Sequence, residues 1–182
     1  SYAFADEVVR TYRKEWAPKV PGLWYDLERA ALRAVEHGRG DAFGVEYRRE
    51  GNWLTASLPS GWQKIWYPWP VLFHDEDFAK DAWRYSAYKG GKLSQVKAYG
   101  GLLTENAVQG LARGLLCASM MRLEAAGFPI VLTVHDEVVC EVPEDTADLG
   151  QFEALMAEPT KWSDRIGIPV AVEAWQGERY RK

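Results

Sequence analysis

An α+β fold, with helices packed on small antiparallel sheets, is what these 182 residues predict, and three observations carry the prediction. Apolar residues recur at helical spacing over 22–37 and again over 102–126, where they mark the two main helices. Between them, 43–67 alternates in short apolar–polar runs punctuated by Gly, Asn, Pro and Ser, as a β-meander does. Near the end, two β-branched runs, Ile130–Val134 and Val138–Val142, flank three charged or polar residues, His135-Asp136-Glu137. A composition of 47% apolar and 26% charged residues belongs to a globular chain and excludes disorder as its main state. No run reaches the ~18 apolar residues of a membrane span, and the first residues, Ser1-Tyr2-Ala3-Phe4-Ala5-Asp6-Glu7, do not read as a secretory signal. Cys117 and Cys140 lack CxxC spacing, so the expected setting is a reducing cytoplasm.

The elements follow in order. Asp6 to Trp16 predicts a helix with Val8, Val9 and Tyr12 on one side, ended by Pro18 and Pro21. Gly22 to about His37 predicts a second, with Leu23, Leu27, Ala30, Ala31, Ala34 and Val35 on its apolar face and Gly38 beyond its end. Phe43–Tyr47, Trp53–Leu58 and Trp62–Tyr67 predict three antiparallel strands, separated by turns at Glu50-Gly51-Asn52 and Pro59-Ser60-Gly61. Residues 68–82, with Pro68, Pro70 and Asp75-Glu76-Asp77, read as an irregular excursion. Leu102 to Ala126 predicts the longest helix, roughly 37 Å at ~1.5 Å per residue, closed by Gly127. The two β-branched runs form a hairpin with the charges at its tight end. An amphipathic helix over Thr146–Glu158 and a last strand over Pro169–Trp175 complete the chain.

Net charge is −4, which excludes a protein that holds nucleic acid by bulk charge alone, but the charge is uneven. Residues 1–100 carry 15 basic and 13 acidic side chains, whereas 101–182 carry 7 and 13. Between Ala82 and Thr104 stand Arg84, Lys89, Lys92 and Lys97 with no acid, a stretch suited either to phosphate or to a solvated loop.

The hairpin apex is the most informative feature. Adjacent carboxylates at a tight, mostly buried turn repel one another unless a positive charge compensates. A divalent cation does so, and Mg²⁺ takes one or two protein carboxylates while water and phosphate fill its other positions. Asp136 and Glu137 are therefore candidate metal ligands for phosphoryl or nucleotidyl transfer, with an ordinary solvated turn as the alternative. No His or Cys stands near His135 at ligand spacing, so zinc is not expected, and His135 is either a turn residue or a hydrogen-bond donor to something lying over the hairpin.

Leu132-Thr-Val-His-Asp-Glu-Val-Val-Cys-Glu-Val142 resembles motif C of the family A DNA polymerases, the bacterial DNA polymerase I family. Tyr99-Gly-Gly-Leu-Leu-Thr-Glu-Asn-Ala-Val-Gln109 with Leu111-Ala-Arg113 is similar to the "YGGxLxENxVQxxAR" segment of that family's phage branch, and Leu58-Pro-Ser-Gly61 with Tyr67-Pro68 is similar to its "LPSGRxLxYP" stretch. Tyr12, Trp16 and Pro21-Gly22 fit the region after the fingers helix, so the resemblance covers nearly the whole chain. It implies the carboxy-terminal part of a DNA-directed DNA polymerase, a single partial domain. In it, 1–38 are fingers-to-palm helices, 41–98 a β-rich insertion, and 99–182 a palm portion whose motif C hairpin packs against long helices.

The resemblance gives Asp136 the catalytic divalent metals, with Glu137 beside it, in a two-metal nucleotidyl transfer that uses Mg²⁺, primer–template DNA and deoxynucleoside triphosphate. His135 and Gln109 map to contacts on the minor-groove side of the primer terminus, where acceptors barely differ between correct pairs. Asn106 and Arg113 map to further DNA contacts or serve as helix-surface residues; Lys92 and Lys97 are candidate DNA-binding residues on the charge of their basic stretch alone.

Departures matter too. No "DYSxIE"-like motif A and no motif B helix is found. The chain is thus expected to be inactive alone, its metal site completed by a carboxylate outside it, on the remainder of the same polymerase or on a separate subunit. Trp62 stands where the phage pattern has Arg, and Gly114 where Asp is common. Two other readings compete: a non-catalytic DNA-binding or interaction module on the same scaffold, and a metal-dependent nuclease or phosphatase, which would need further clustered carboxylates.

Overall fold

A computed structural model describes residues 2–180, and they divide into two compact units, 1–110 and 111–182. Among the described residues, no helix is long and apolar enough to cross a membrane.

The first unit begins with helix α1 (Tyr2–Thr11), which continues into a π-helical turn, Tyr12–Trp16. None of these residues is buried. Helix α2 (Lys19–His37) starts three residues earlier than the prolines suggested. Pro18 is its N-cap and Pro21 lies in its first turn, where the backbone N–H has no helical acceptor to lose. Gly38 ends it with φ +92°, the left-handed geometry that glycine adopts without a Cβ penalty.

Four strands follow as one antiparallel sheet in sequence order: β1 (Arg39–Ala42), β2 (Val45–Glu50), β3 (Trp53–Ser57) and β4 (Lys64–Pro68). Strand β1 lies where only a helix stop was expected. Phe43 and Gly44, expected inside a strand, are instead a two-residue turn with φ +51° and +77°. The small residues Ala30, Ala31 and Ala34 let α2 approach this sheet very closely. A Cβ on Gly40 would stand 2.1 Å from the Ala30 carbonyl oxygen, so only glycine fits there.

Residues 68–82 are not an irregular excursion: Pro68 ends β4, and most of the rest is in strands. They enter a second antiparallel sheet, β5 (Val71–Asp75), β6 (Lys80–Lys89) and β7 (Lys92–Lys97). The acidic cluster lies at the β5–β6 turn, and its first member is buried: Asp75 accepts a charged hydrogen bond from Lys97, whose ammonium also lies 4.6 Å from the Phe78 ring centroid. The unit's core contains Leu27, Leu54, Leu103, Tyr47, Tyr67 and Trp83. Tyr67 meets Trp83 and Tyr85 edge-on at 5.5 and 5.0 Å. On the outside of the first sheet, Trp53 lies edge-on to Trp66 and stacked on Trp69.

The Lys97 hydrogen bond, more than the opposing desolvation, holds the Asp75 carboxyl below its ordinary value. A carboxylate with a depressed folded-state pKa adds stability above the unfolded value, and that increment is lost as pH falls through the folded one. Urea titrations at pH 7 and at pH 3 are expected to show a smaller acid-induced loss of stability in Asp75→Asn than in wild type.

Helix α3 (Gly100–Ala125) gives its residues to Gly110 to the first unit and the rest to the second. The second unit continues with a hairpin, β8 (Ile130–Val134) and β9 (Glu137–Cys140), then a 3₁₀ turn (Glu144–Thr146), α4 (Leu149–Ala157) and α5 (Lys161–Arg165). Its core is Leu123, Phe128 and Met156, with Leu116, Val138, Cys140, Phe152 and Val172 packed around them. Burial raises the Cys140 thiol pKa. Arg122 ties α3 to α4, donating to the carbonyls of Leu155 at 2.9 Å and Glu158 at 2.8 Å, which the end of α4 leaves without helical partners.

Two expectations fail in this unit. The helix expected over 146–158 begins only at Leu149, because Asp148 caps it by accepting from the Gln151 N–H. Residues 169–175 form no strand or helix; Val172 packs against the core and the Ala174 N–H donates to Glu153 at 3.0 Å. Alternation alone could not reveal that this segment finds a helix side chain rather than a strand edge.

Candidate functional site

The acidic apex is built by the tightest connection a hairpin allows. Val134 pairs with Glu137, so His135 and Asp136 alone make the turn. His135 takes φ +55°, a left-handed conformation that turns require and that His tolerates better than β-branched residues. Val131 is an extra residue in β8, a bulge between the Ile130–Cys140 and Leu132–Val139 pairs. The base of the hairpin is tied to α3, since the Ile130 N–H donates to Glu124 at 2.8 Å.

His135, Asp136 and Glu137 are all exposed. The expectation of a mostly buried hairpin is corrected: Val138 and Cys140 face the core, but Val131 is 57% and Leu132 44% exposed. A two-stranded sheet with one face on a core leaves its other face open, and here that face is apolar. Glu137 is not isolated, because the Tyr180 hydroxyl donates to its Oε2 at 2.8 Å. Tyr180 is a site residue that sequence reasoning missed; it lies 43 positions from its partner, and no spacing rule links the two.

The other candidates fall as follows. Arg113 is exposed on the part of α3 in the second unit, the unit that also holds the apex. In the first unit, Asn106 is half-buried and its Nδ2 donates to the Tyr67 hydroxyl at 3.2 Å. Burial pushes the Tyr67 pKa up to about 12 despite this hydrogen bond, so the ring stays protonated. Gln109 is exposed and donates to Glu105 one helical turn back, at 3.2 Å. Lys97 is committed to Asp75, whereas Lys92 stands at the far end of β7. Trp62 is exposed in the β3–β4 connection and Gly114 is buried in α3. Among the described residues, no group of three or more His, Cys, Asp or Glu side chains could hold a metal ion. Asp136 and Glu137 still offer the hard oxygen donors that Mg²⁺ prefers.

Over 179 residues, 97% of the chain, the sequence is 36% identical to the DNA polymerase of Bacillus phage SP02. Over 74 residues, 38% of the chain, it is 38% identical to the thermostable DNA polymerase I of Thermus filiformis. The chain spans 27% of the length of the first and the match 9% of the second. No family model matches, and no solved structure matches significantly. Both relatives are DNA polymerases, and they bear out the resemblance to the family A DNA polymerases read from 99–142.

Proposed function

We propose that this chain is the carboxy-terminal fingers-to-palm part of a DNA-directed DNA polymerase, with the palm portion over 99–182, and that Asp136, with Glu137 beside it, holds the divalent cations for nucleotidyl transfer. The observation that carries the proposal is the apex itself: two adjacent carboxylates, exposed at a two-residue turn whose base is anchored to α3 and whose inner face is in the core. Such a mount fixes the carboxylates before substrate arrives, so little is lost in organising them. Mg²⁺ held by these residues would supply Lewis-acid polarisation of the reacting oxygens of primer and triphosphate. Asp136 supplies its hard anionic ligand, and Glu137, held by Tyr180, adds negative charge alongside. His135 and Gln109, each within its own unit, take the role of donors to the minor-groove edge of the primer terminus, Asn106 and Arg113 that of further DNA contacts, and a carboxylate outside this chain completes the metal site.

A nuclease or phosphatase working within this chain alone would need a cluster of metal ligands, and among the described residues none of three or more forms. The test is a structure of the polymerase carrying this segment with primer–template, nucleotide and Mn²⁺. The metal is expected within about 2.0–2.2 Å of an Asp136 carboxylate oxygen, the distance such octahedral cations demand. A cation held elsewhere, with Asp136 in solvent, ends the reading. The purified 182-residue chain is expected to give no primer extension in a gel assay.

A further inference from the structure

The β6–β7 hairpin ends in a two-residue loop, Gly90-Gly91, with both residues at positive φ (+58° and +76°). That loop sets Lys89 and Lys92 directly opposite one another in the ladder. Like charges in that position destabilise a sheet, and the cost is usually removed by an acid nearby. The same hairpin shows the ordinary remedy a few residues away, where Arg84 opposes Lys97 and the buried Asp75 neutralises Lys97. At the tip no such remedy exists: among the described residues, neither Lys89 nor Lys92 has an acidic partner, and the chain has no acid from Ala82 to Thr104. The next cross-strand pair, Tyr88 and Leu93, is on the opposite face of the ribbon, 80% and 56% exposed, with no part in the core.

We infer that this hairpin tip is a second DNA contact, an arm whose Lys89 and Lys92, paired on one face of the ribbon, straddle backbone phosphates of the primer–template duplex. The inference rests on the reading of the chain as part of a DNA polymerase. Charge complementarity names the occupant, since two adjacent unneutralised ammonium groups suit a polyanion with phosphates at regular spacing and do not suit an apolar protein surface. Lys97, held by Asp75, takes no part.

The experiment is a fluorescence-anisotropy titration of the full 182-residue chain with a labelled primer–template duplex across a salt series, in EDTA. Without divalent cation, Asp136 chemistry does not enter, so failure here leaves the metal site standing, and failure of the metal site leaves this result standing. Lys89→Gln/Lys92→Gln is expected to reduce the slope of log K against log salt by about 2 and to weaken binding roughly 10-fold or more at low salt. Lys89→Arg/Lys92→Arg is expected to keep the wild-type slope. Tyr88→Ala, on the opposite face of the ribbon, is expected to leave both affinity and slope near their wild-type values. Far-UV circular dichroism establishes that each variant is folded. No measurable binding by the wild-type chain, or an unchanged slope in the Gln variant, overturns the inference and leaves the lysines as a device that keeps the hairpin soluble.

Discussion

Asp136→Ala, placed in a polymerase that carries this segment, is expected to lower kcat for primer extension by about 1,000-fold or more, because direct metal ligation contributes several kcal/mol to transition-state stabilisation. Affinity for primer–template should stay within about twofold, since the lost interaction is made with cation and transition state rather than with ground-state DNA. Single-turnover extension alongside equilibrium DNA binding separates the two quantities. The structure makes this substitution informative, because Asp136 is exposed at the turn and supports nothing in the core. Its removal should therefore leave the fold and its thermal midpoint unchanged. Glu137→Gln should cost less, since Glu137 already shares its charge with the Tyr180 hydroxyl. Wild-type turnover in Asp136→Ala would remove the basis for the metal assignment, and a parallel loss of DNA binding would make the residue a DNA contact instead.

The apex was legible because a hairpin with a two-residue loop is a local object. Two β-branched runs and a polar interruption suffice to place Asp136 and Glu137 at its end. Helix α2 was legible for a similar reason, its apolar spacing being repeated from Leu23 to Val35. What failed were elements whose state depends on a distant partner. Strand β5 looked irregular because Asp75-Glu76-Asp77 reads as a solvated cluster until Lys97, 22 residues on, is found to neutralise Asp75. Residues 169–175 looked like a strand because they alternate, yet strand propensity needs an edge to pair with, and Glu153 of α4 supplied the hydrogen bond instead. In the site, sequence patterns marked Asn106 and Gln109 on α3 and Tyr67 in a separate stretch, but gave no sign that Asn106 meets Tyr67 in the first unit. The hairpin lysines were visible as a charge run, but their face-to-face placement follows only from the ladder register.

Of the paired glycines before α3, Gly100 is expected to be indispensable and Gly101 replaceable. At the start of a helix, alanine normally gains up to about 1 kcal/mol over glycine. At Gly100 that gain is overwhelmed, since an added Cβ would stand 2.2 Å from the Trp24 carbonyl oxygen and 2.5 Å from its carbonyl carbon. Both are backbone atoms of α2 and cannot swing aside, so one helix must move against the other. The Gly100 N–H also donates to Glu28 at 3.0 Å, and Lys80 pairs with the same carboxylate, so a shift breaks charged hydrogen bonds as well. Gly100→Ala should therefore cost about 3 kcal/mol, the upper end of ordinary overpacking. At roughly 2–4 °C per kcal/mol for a chain of this size, the thermal midpoint should fall by about 6–12 °C. At Gly101 the nearest atoms, 3.0 and 3.4 Å away, belong to the ring of Tyr99, which is exposed and free to rotate, so Gly101→Ala should be neutral or slightly stabilising. Calorimetry on the two single variants decides the matter. Equal effects would mean that the glycine pair serves helix initiation in general, whereas the expected asymmetry would show that close approach of α2 sets the position of the helix bearing Asn106 and Gln109.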